Sequence, residues 1–379
     1  MNRAVLLVAI CAAIAGISYG MYSPVVPVFA RDELAADYSQ VGLIGMVNYL
    51  PYMFAPFFVG ILLDRINRSS MLVSGLLLNI FSIFMLTTVQ TVPDLMFYRA
   101  LAGVGHAFFW PSAEVLISTN SPPNGRVKSI SMFIASWILG FMVGPLFGKL
   151  VLDMYDFDTL FQTSAIMMAA GIAPSVFLRK FGWPAVQKDL EVRTGMTQIV
   201  KEVTTHPALS SVILYYAITF GVVLAVLPAY MSEASLTSQD IEILFFVFGI
   251  ARFATLVMVP KISGHEVLAL VLAVAATAIA MFLSFAFTSV LSFAVAIALV
   301  GLATSIFYPV TFSLVTRNTP SGQIGAKLGV FNALFGAGWT AGPVMAGIAS
   351  DAFGSGSPYF AFAIVGGILA GSITVIKRR

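Results

Sequence analysis

Of the chain's 379 residues, 59% are hydrophobic and only 10% charged, far too little polar surface to cover a water-soluble globule. The formal net charge of +3 does not call for nucleic acid, because the basic residues fall in short segments between apolar runs, where topology explains them. Cys11 is the single cysteine, which excludes an intrachain disulfide and leaves a polytopic membrane protein as the class to test.

Met1-Asn2-Arg3 followed by apolar Ala4 to Ile17 has the outline of a signal peptide. The apolar run continues through Tyr19 to Phe29, however, and is long enough to span, so it is read as the first helix. A span needs about 20 apolar residues, and twelve are predicted: 4–30, 39–63, 70–91, 94–119, 127–151, 159–179, 207–231, 238–260, 263–287, 290–317, 324–350 and 356–377. The long polar segment Lys180 to His206 separates six spans from six. The expected organisation is therefore an N-terminal six-helix bundle at 1–179, a cytoplasmic linker at 180–206 and a C-terminal six-helix bundle at 207–379. Within the linker Met196, Ile199, Val200 and Val203 are spaced as the apolar face of a short helix lying on the membrane surface.

With the N-terminus in the cytoplasm, sixteen Lys and Arg residues fall on the cytoplasmic side and only Arg31 and Lys149 on the other, with Arg99 and Arg252 inside the spans. The positive-inside rule then puts both termini in the cytoplasm of a multi-pass protein of the plasma membrane.

A self-match runs through the chain at one offset. Pro309 stands 198 residues after Pro111, and the same shift pairs Gly103 with Gly301, Phe109 with Phe307, Phe133 with Phe331, Gly140 with Gly338, Gly144-Pro145 with Gly342-Pro343, and Asp153 with Asp351. In a hydrophobic chain, an internal repeat of this length points to a transporter of two related halves.

Gly60-Ile61-Leu62-Leu63-Asp64-Arg65-Ile66-Asn67-Arg68 forms a tight turn between the second and third spans, and it resembles the GxLxDRxGR signature loop of the major facilitator superfamily. Asn67 stands where a glycine is usual, and Asn also tolerates a left-handed backbone. Arg99 to Gly105 resembles the family's fourth-helix RxxxGxG pattern, and Gly140 to Gly148 its fifth-helix GxxxGPxxG pattern, which is associated with antiporter branches. Lys149 follows where a further Gly is usual, and Gly338, Gly342 and Pro343 repeat the pattern in the eleventh span. The resemblance, to the drug:proton antiporter branch, implies an all-α membrane fold of twelve transmembrane helices in two pseudo-symmetric bundles. Gly140, Gly144 and Gly148 recur every four residues and make a flat stripe for a neighbouring helix, kinked at Pro145. Packing is the first reading of the stripe, and a hinge between conformations its functional form. Gly60, Asp64, Arg65 and Arg68 make a candidate cytoplasmic gate, in which Asp64 faces the positive end of a helix dipole.

An ionisable residue at the bilayer centre costs about 2.5–3.5 kcal/mol on insertion scales, so each asks for a partner or a watery cavity. Arg99, Gly103, His106, Trp110 and Glu114 lie along one face of the fourth span at helical spacing. The family resemblance puts that helix, with the first, seventh and tenth, around a central cavity, to which Tyr19, Tyr22, Tyr215, Thr219, Thr304 and Tyr308 are the other polar candidates. Glu114 has two readings, a gate salt bridge with Arg65, Arg68 or Arg126, or a proton-carrying role shared with His106. Arg99 resembles the fourth-helix arginine that proton antiporters place beside a helix-one carboxylate, yet no acid occurs between Ala4 and Phe29. That departure leaves Arg99 for an anionic substrate, or for Glu and His residues elsewhere. Arg252 resembles an interior arginine of the superfamily's second half and is read as structural.

Nothing resembles a metal site, a catalytic triad or a phosphate loop, so no enzyme activity, metal or cofactor is expected and ion or solute gradients must supply the energy. The expected activity is secondary transport by alternating access, as a monomer with a small organic solute, protons and the bilayer as partners and no nucleic acid. Proton-coupled export leads, import or exchange of an organic anion is the alternative, and a non-transporting receptor or lipid-handling protein is the rival class. Two outcomes follow. Thr194→Cys, with Cys11 replaced, reacts with an impermeant maleimide in inverted vesicles and not in intact cells. Asp64→Asn slows turnover more than it weakens substrate binding, as measured by transport rate against equilibrium binding.

Overall fold

The computed structural model describes residues 2–63, 66–122, 126–181, 205, 207–262, 264–316 and 324–376, with backbone alone at 52, 55–63, 126–127, 260–261, 312, 315–316, 324–330 and 373–376. Asp64, Arg65 and nearly all of the expected linker lie outside the described residues, as does the side chain of Arg126. Every regular element among the described residues is helical. In chain order the helices are α1 (Arg3–Tyr22), α2 (Val26–Asp32), α3 (Tyr38–Leu63), α4 (Arg68–Met85), α5 (Val92–Asn120), α6 (Arg126–Met154), α7 (Phe157–Ala170), α8 (Ile172–Phe177), α9 (Pro207–Ala225), α10 (Leu227–Glu233), α11 (Ser238–Met258), α12 (Glu266–Ala286), α13 (Val290–Thr316), α14 (Ile324–Phe353) and α15 (Ser357–Ile376). They stand at each of the twelve predicted positions, the first, sixth and seventh as broken pairs. Among the described residues nine helical stretches are long and apolar enough to cross a membrane, and Ser357–Ser372 is a shorter apolar one.

Short polar residues set the helix ends. Asn2 accepts from the Ala4 amide at 3.0 Å, and Thr91 and Asp94 close a capping box at the start of α5. Asn67 departs from the left-handed turn its place suggested. Its φ is −57°, and its side chain caps α4 by accepting from the amides of Ser69 and Ser70 at 2.9 and 3.3 Å. An N-cap satisfies two orphan amides and serves the turn without positive φ. Asp156 caps α7, and the bonds from Thr159 hold its carboxyl below the usual carboxylate range. Its contribution is therefore present above the ordinary carboxylate pKa and is lost as the pH falls through the lowered value.

The chain divides into two compact units. The first comprises Met1–Ala36, Val47–Lys188 and Thr237–Gly249, and the second Asp37–Met46, Asp189–Leu236 and Ile250–Arg379. Relative to bundles cut at the 180–206 segment, two helix starts are exchanged, that of α3 into the second unit and that of α11 into the first. In the first unit α1 runs along α6, α4 along α5, and α7 lies against α1 and α4; in the second, α9 runs along α14, α12 along α13, and α15 against α12. The repeat seen in the sequence is thus a repeat of helix pairings.

The glycines explain the tightest of these pairings. A Cβ at Gly140, Gly144 or Gly148 would fall against the carbonyl oxygens of Ala13, Ile17 and Met21, one turn apart along α1, closer than side-chain carbons approach. Gly16 and Gly20 reciprocate against the carbonyls of Trp137 and Phe141. In the second unit Gly338 and Gly342 meet Ala217 and Ile218 of α9 in the same manner. The fourth-helix pattern divides its glycines between two neighbours, Gly103 against the Asn48 carbonyl of α3 and Gly105 against Asn79 and Gly75 of α4.

The exchanged start of α3 is pinned within the second unit by carboxylates. Asp351, at the end of α14, accepts from the amides of Tyr38 and Ser39 at 3.1 and 2.7 Å and from the Ser39 hydroxyl at 2.5 Å. Glu233 accepts from Tyr38 Oη at 2.8 Å and Ser355 Oγ at 2.6 Å. The arrangement puts negative charge at a helix N-terminus, where the dipole favours it. Asp153, the repeat partner of Asp351, pairs with Lys149 of its own helix instead.

Packing this close sets opposite outcomes for the same substitution at two glycines. Gly144→Ala lowers stability by about 1–3 kcal/mol, the usual cost of overpacking. Gly367→Ala, where an added Cβ meets nothing within 4 Å, raises it by up to about 1 kcal/mol. Unfolding of the two purified variants in detergent measures both.

Candidate substrate site

In the first unit the stripe on α5 meets an aromatic cluster from α1, α3 and α6. Arg99 is buried, with its guanidinium carbon 5.8 Å from the Tyr22 ring centre and Nη1 a long 3.5 Å from the Tyr22 hydroxyl. Tyr19 and Tyr49 also lie beside the guanidinium and within reach of each other. No carboxylate among the described residues joins them. The charge is instead surrounded by three phenol rings and their hydroxyls, with Nε left without a partner among the described residues. A cation over π faces, with oxygen lone pairs around it, is tolerated in a low-dielectric setting without a counter-ion, though less well than with one.

Two turns further, His106 Nδ1 donates to the Ala102 carbonyl at 2.9 Å. That bond places the proton on Nδ1 and leaves Nε2 as an acceptor in the neutral ring. The ring meets Tyr19 edge-on at 5.0 Å. Trp110 then packs on Phe133 at 4.9 Å and Trp137 at 5.1 Å, and Trp137 lies 5.9 Å from Tyr19. Glu114, at the end of the stripe, is exposed and has no ion-pair partner among the described residues. Arg99, His106, Trp110, Tyr19 and Tyr22 are therefore brought together, with Glu114 one turn beyond them.

The second unit carries the same cluster in different residues. Tyr216 stacks on Phe307 with centres 4.4 Å apart, Tyr308 meets Phe331 at 5.4 Å and Phe335 at 5.7 Å, and Phe335 meets Trp339 at 5.2 Å. Shifted by 198, Phe109, Trp110, Phe133, Trp137 and Phe141 become Phe307, Tyr308, Phe331, Phe335 and Trp339. Arg252 lies with its guanidinium carbon 5.6 Å over Phe220, the repeat partner of Tyr22. Of the four polar candidates in this unit, Tyr308 joins the cluster, half-exposed. Tyr215 turns away from it and donates to the Phe362 carbonyl of α15 at 3.1 Å. Thr219 donates to carbonyls of its own helix at 2.9 and 3.1 Å, and Thr304 to the Gly301 carbonyl at 2.9 Å. Those three hydroxyls are engaged in helix packing, because a buried hydroxyl costs free energy until it finds an acceptor and the nearest is the preceding turn.

Sequence reasoning passed over Tyr49, Trp137, Phe141, Tyr216, Phe335 and Trp339. The signal was available in the repeat, since the last two shift back onto Trp137 and Phe141. A groove of about 490 Å³ between α6 and α7, lined by Met21, Phe147, Leu150, Met154 and Ile166, offers almost no polar atoms and suits acyl chains better than a polar solute.

The Major Facilitator Superfamily family model matches residues 8–283 and 209–378. The multidrug resistance protein MdtG of Yersinia enterocolitica is 23% identical, over 92% of this chain and 87% of that one. The multidrug efflux protein YfmO of Bacillus subtilis is 26% identical, over 100% of this chain and 93% of that one. The crystal structure of a peptide transporter, POT, in complex with sulfate superposes with a TM-score of 0.81 at 13% identity, over 100% of this chain and 95% of that one. That likeness is one of fold.

The direction of Tyr215 gives a test. Tyr215→Phe costs about 0.5–1.5 kcal/mol of stability, the net worth of one hydrogen bond, whereas Trp137→Ala, which removes a buried indole, costs about 3–5 kcal/mol. Unfolding of the two purified variants in detergent checks both.

Proposed function

Because the chain belongs to the Major Facilitator Superfamily, and is a secondary transporter by family and fold, we propose that it exports small, partly apolar organic compounds in exchange for protons. The observation that carries this reading is the pair of aromatic clusters, each with one guanidinium over a ring. Flat apolar compounds bind such surfaces by face and edge contacts, with few demands on hydrogen-bond geometry. Relatives named for multidrug resistance and efflux, matched over nearly the whole chain, support the same class of cargo.

Coupling falls to Glu114 and His106. Glu114 stands exposed at the end of the stripe, and His106 keeps Nε2 open as an acceptor on the same helix face. The protein works as a monomer in the plasma membrane with both termini in the cytoplasm. Its two six-helix bundles alternate access by rocking, with the stripes at Gly140, Gly144, Gly148, Gly338 and Gly342 as close-packed pivots.

Import or exchange of an organic anion is the second reading, favoured by a buried Arg99 whose neighbours among the described residues are tyrosines and no acid. The two readings separate in liposomes loaded with ethidium under a pH gradient. Glu114→Gln abolishes gradient-driven accumulation and preserves exchange without a gradient, and His106→Gln causes a smaller loss. Full pH-driven transport in both variants overturns the proton reading and moves the anion exchanger to the front.

A further inference from the structure

Glu242 lies one turn inside α11, in the stretch that packs within the first unit, and is fully buried at 0% exposure. Neither of its carboxyl oxygens has a hydrogen-bond partner among the described residues. Its carboxyl points at the glycine stripe of α6: a Cβ added to Gly148 would sit 2.6 Å from Glu242 Oε1 and against the Met21 carbonyl of α1. The rest of the helix start is seated on α6 as well. Gln239 donates to the Leu152 carbonyl at 2.8 Å, Gly249 abuts Met142, and Phe248 meets Phe141 at 6.3 Å.

The described charged and titratable groups on these elements lie elsewhere or are engaged: Arg252 of α11, ten residues on, lies over Phe220, and Cys11 of α1 donates to the Gly171 carbonyl. Lys149 and Asp153 of α6 pair with each other at part-exposed positions. Tyr19 and Tyr22 of α1 face Arg99, and Asp240 of α11 accepts from Thr237 at 2.6 Å. Arg3 and Lys128 stand at the far ends of α1 and α6. None of them acts on Glu242. A bare carboxylate with neither cation nor donor is among the costliest groups to bury, and it escapes that cost by taking a proton.

Packing does not require an acid here. Shifted by 198, Glu242 becomes Ile44, which is 4% exposed in the second unit at the equivalent start of α3. One copy fills the place with an aliphatic side chain of similar reach, and the other with a group whose distinguishing property is that it titrates.

We propose that Glu242 is a second proton site, holding a neutral carboxyl while the start of α11 is seated on the α6 stripe and releasing its proton to water when that seat opens. The O–H bond breaks, the electron pair stays on the carboxylate, and the hydrated anion then opposes reseating until it is protonated again. The role in transport rests on the proton-coupled reading above, whereas the protonation itself does not.

Infrared titration of the purified wild-type protein in lipid, with Glu242→Gln and Glu114→Gln beside it, reads the site without any substrate. The expected result is a protonated-carboxyl stretch at neutral pH in the wild type and in Glu114→Gln that is missing from Glu242→Gln. A band unchanged in Glu242→Gln overturns the proposal. Glu242→Ile, which copies the other repeat, is expected to fold, to melt a few degrees higher and to lose the wild type's fall in melting temperature as pH rises through neutrality. A Glu242→Ile protein that melts lower at every pH shows the carboxyl to be structural and likewise overturns it. In ethidium-loaded liposomes Glu242→Gln is expected to slow turnover severalfold and to flatten its pH dependence. Wild-type transport indifferent to the pH gradient refutes the coupled reading of function while the infrared band still decides whether Glu242 holds a proton.

Discussion

Within a bilayer, helices gain nothing by hiding apolar surface from one another, since the lipid is as apolar as they are, so their association depends on close van der Waals contact. Here that contact is the approach of α1 to α6 and of α9 to α14, which only glycine permits at the crossing points. The residues beside the glycines inherit their position from it. Trp137 and Phe141 flank Gly140 on α6, and their carbonyls touch Gly16 and Gly20 of α1. The rings of both are consequently held about 6 Å from that of Tyr19. Packing stripe and aromatic site are two aspects of one helix pair.

Around this frame the two copies have diverged in charge. The first unit buries Arg99 among Tyr19, Tyr22 and Tyr49, while the second lays Arg252 over Phe220 on a different helix. The aromatic surfaces remain equivalent, ring for ring, from Phe109 and Phe307 to Phe141 and Trp339. Between the two copies the ring positions are kept while the charge varies. His106 and Glu114 belong to the first copy alone, so whatever titration accompanies transport is expected to be asymmetric too.

The starts of α3 and α11 show the same divergence. In the second unit a carboxylate, Asp351, is spent on capping α3, and Gly42 and Gly45 let that helix meet Pro343 of α14. In the first unit Asp153 is paired locally, α11 caps itself through Thr237 and Asp240, and the buried carboxylate belongs to the arriving helix. An acid that caps a helix is stabilised by its charge. An acid buried without donors is stabilised by losing it.

By itself the sequence determined the helical class, the twelve positions and the repeat, because these rest on hydropathy over about 20 residues and on Gly and Pro at a constant offset. The stripe Arg99, His106, Trp110, Glu114 was legible for the same reason, as spacing along one helix converts directly into a shared face. What lies across from a face depends on how helices are rotated about their axes, and no local pattern encodes that. Tyr215 and Tyr216 are adjacent and chemically alike, yet one donates to α15 and the other stacks on Phe307. Glu242 reads in sequence as an acid near a helix start, a place where acids are ordinarily solvated. Only the tertiary structure put it against Gly148, out of reach of water and of every described cation, because the exchanged start of α11 is buried by α6 and not by its own neighbours in the chain.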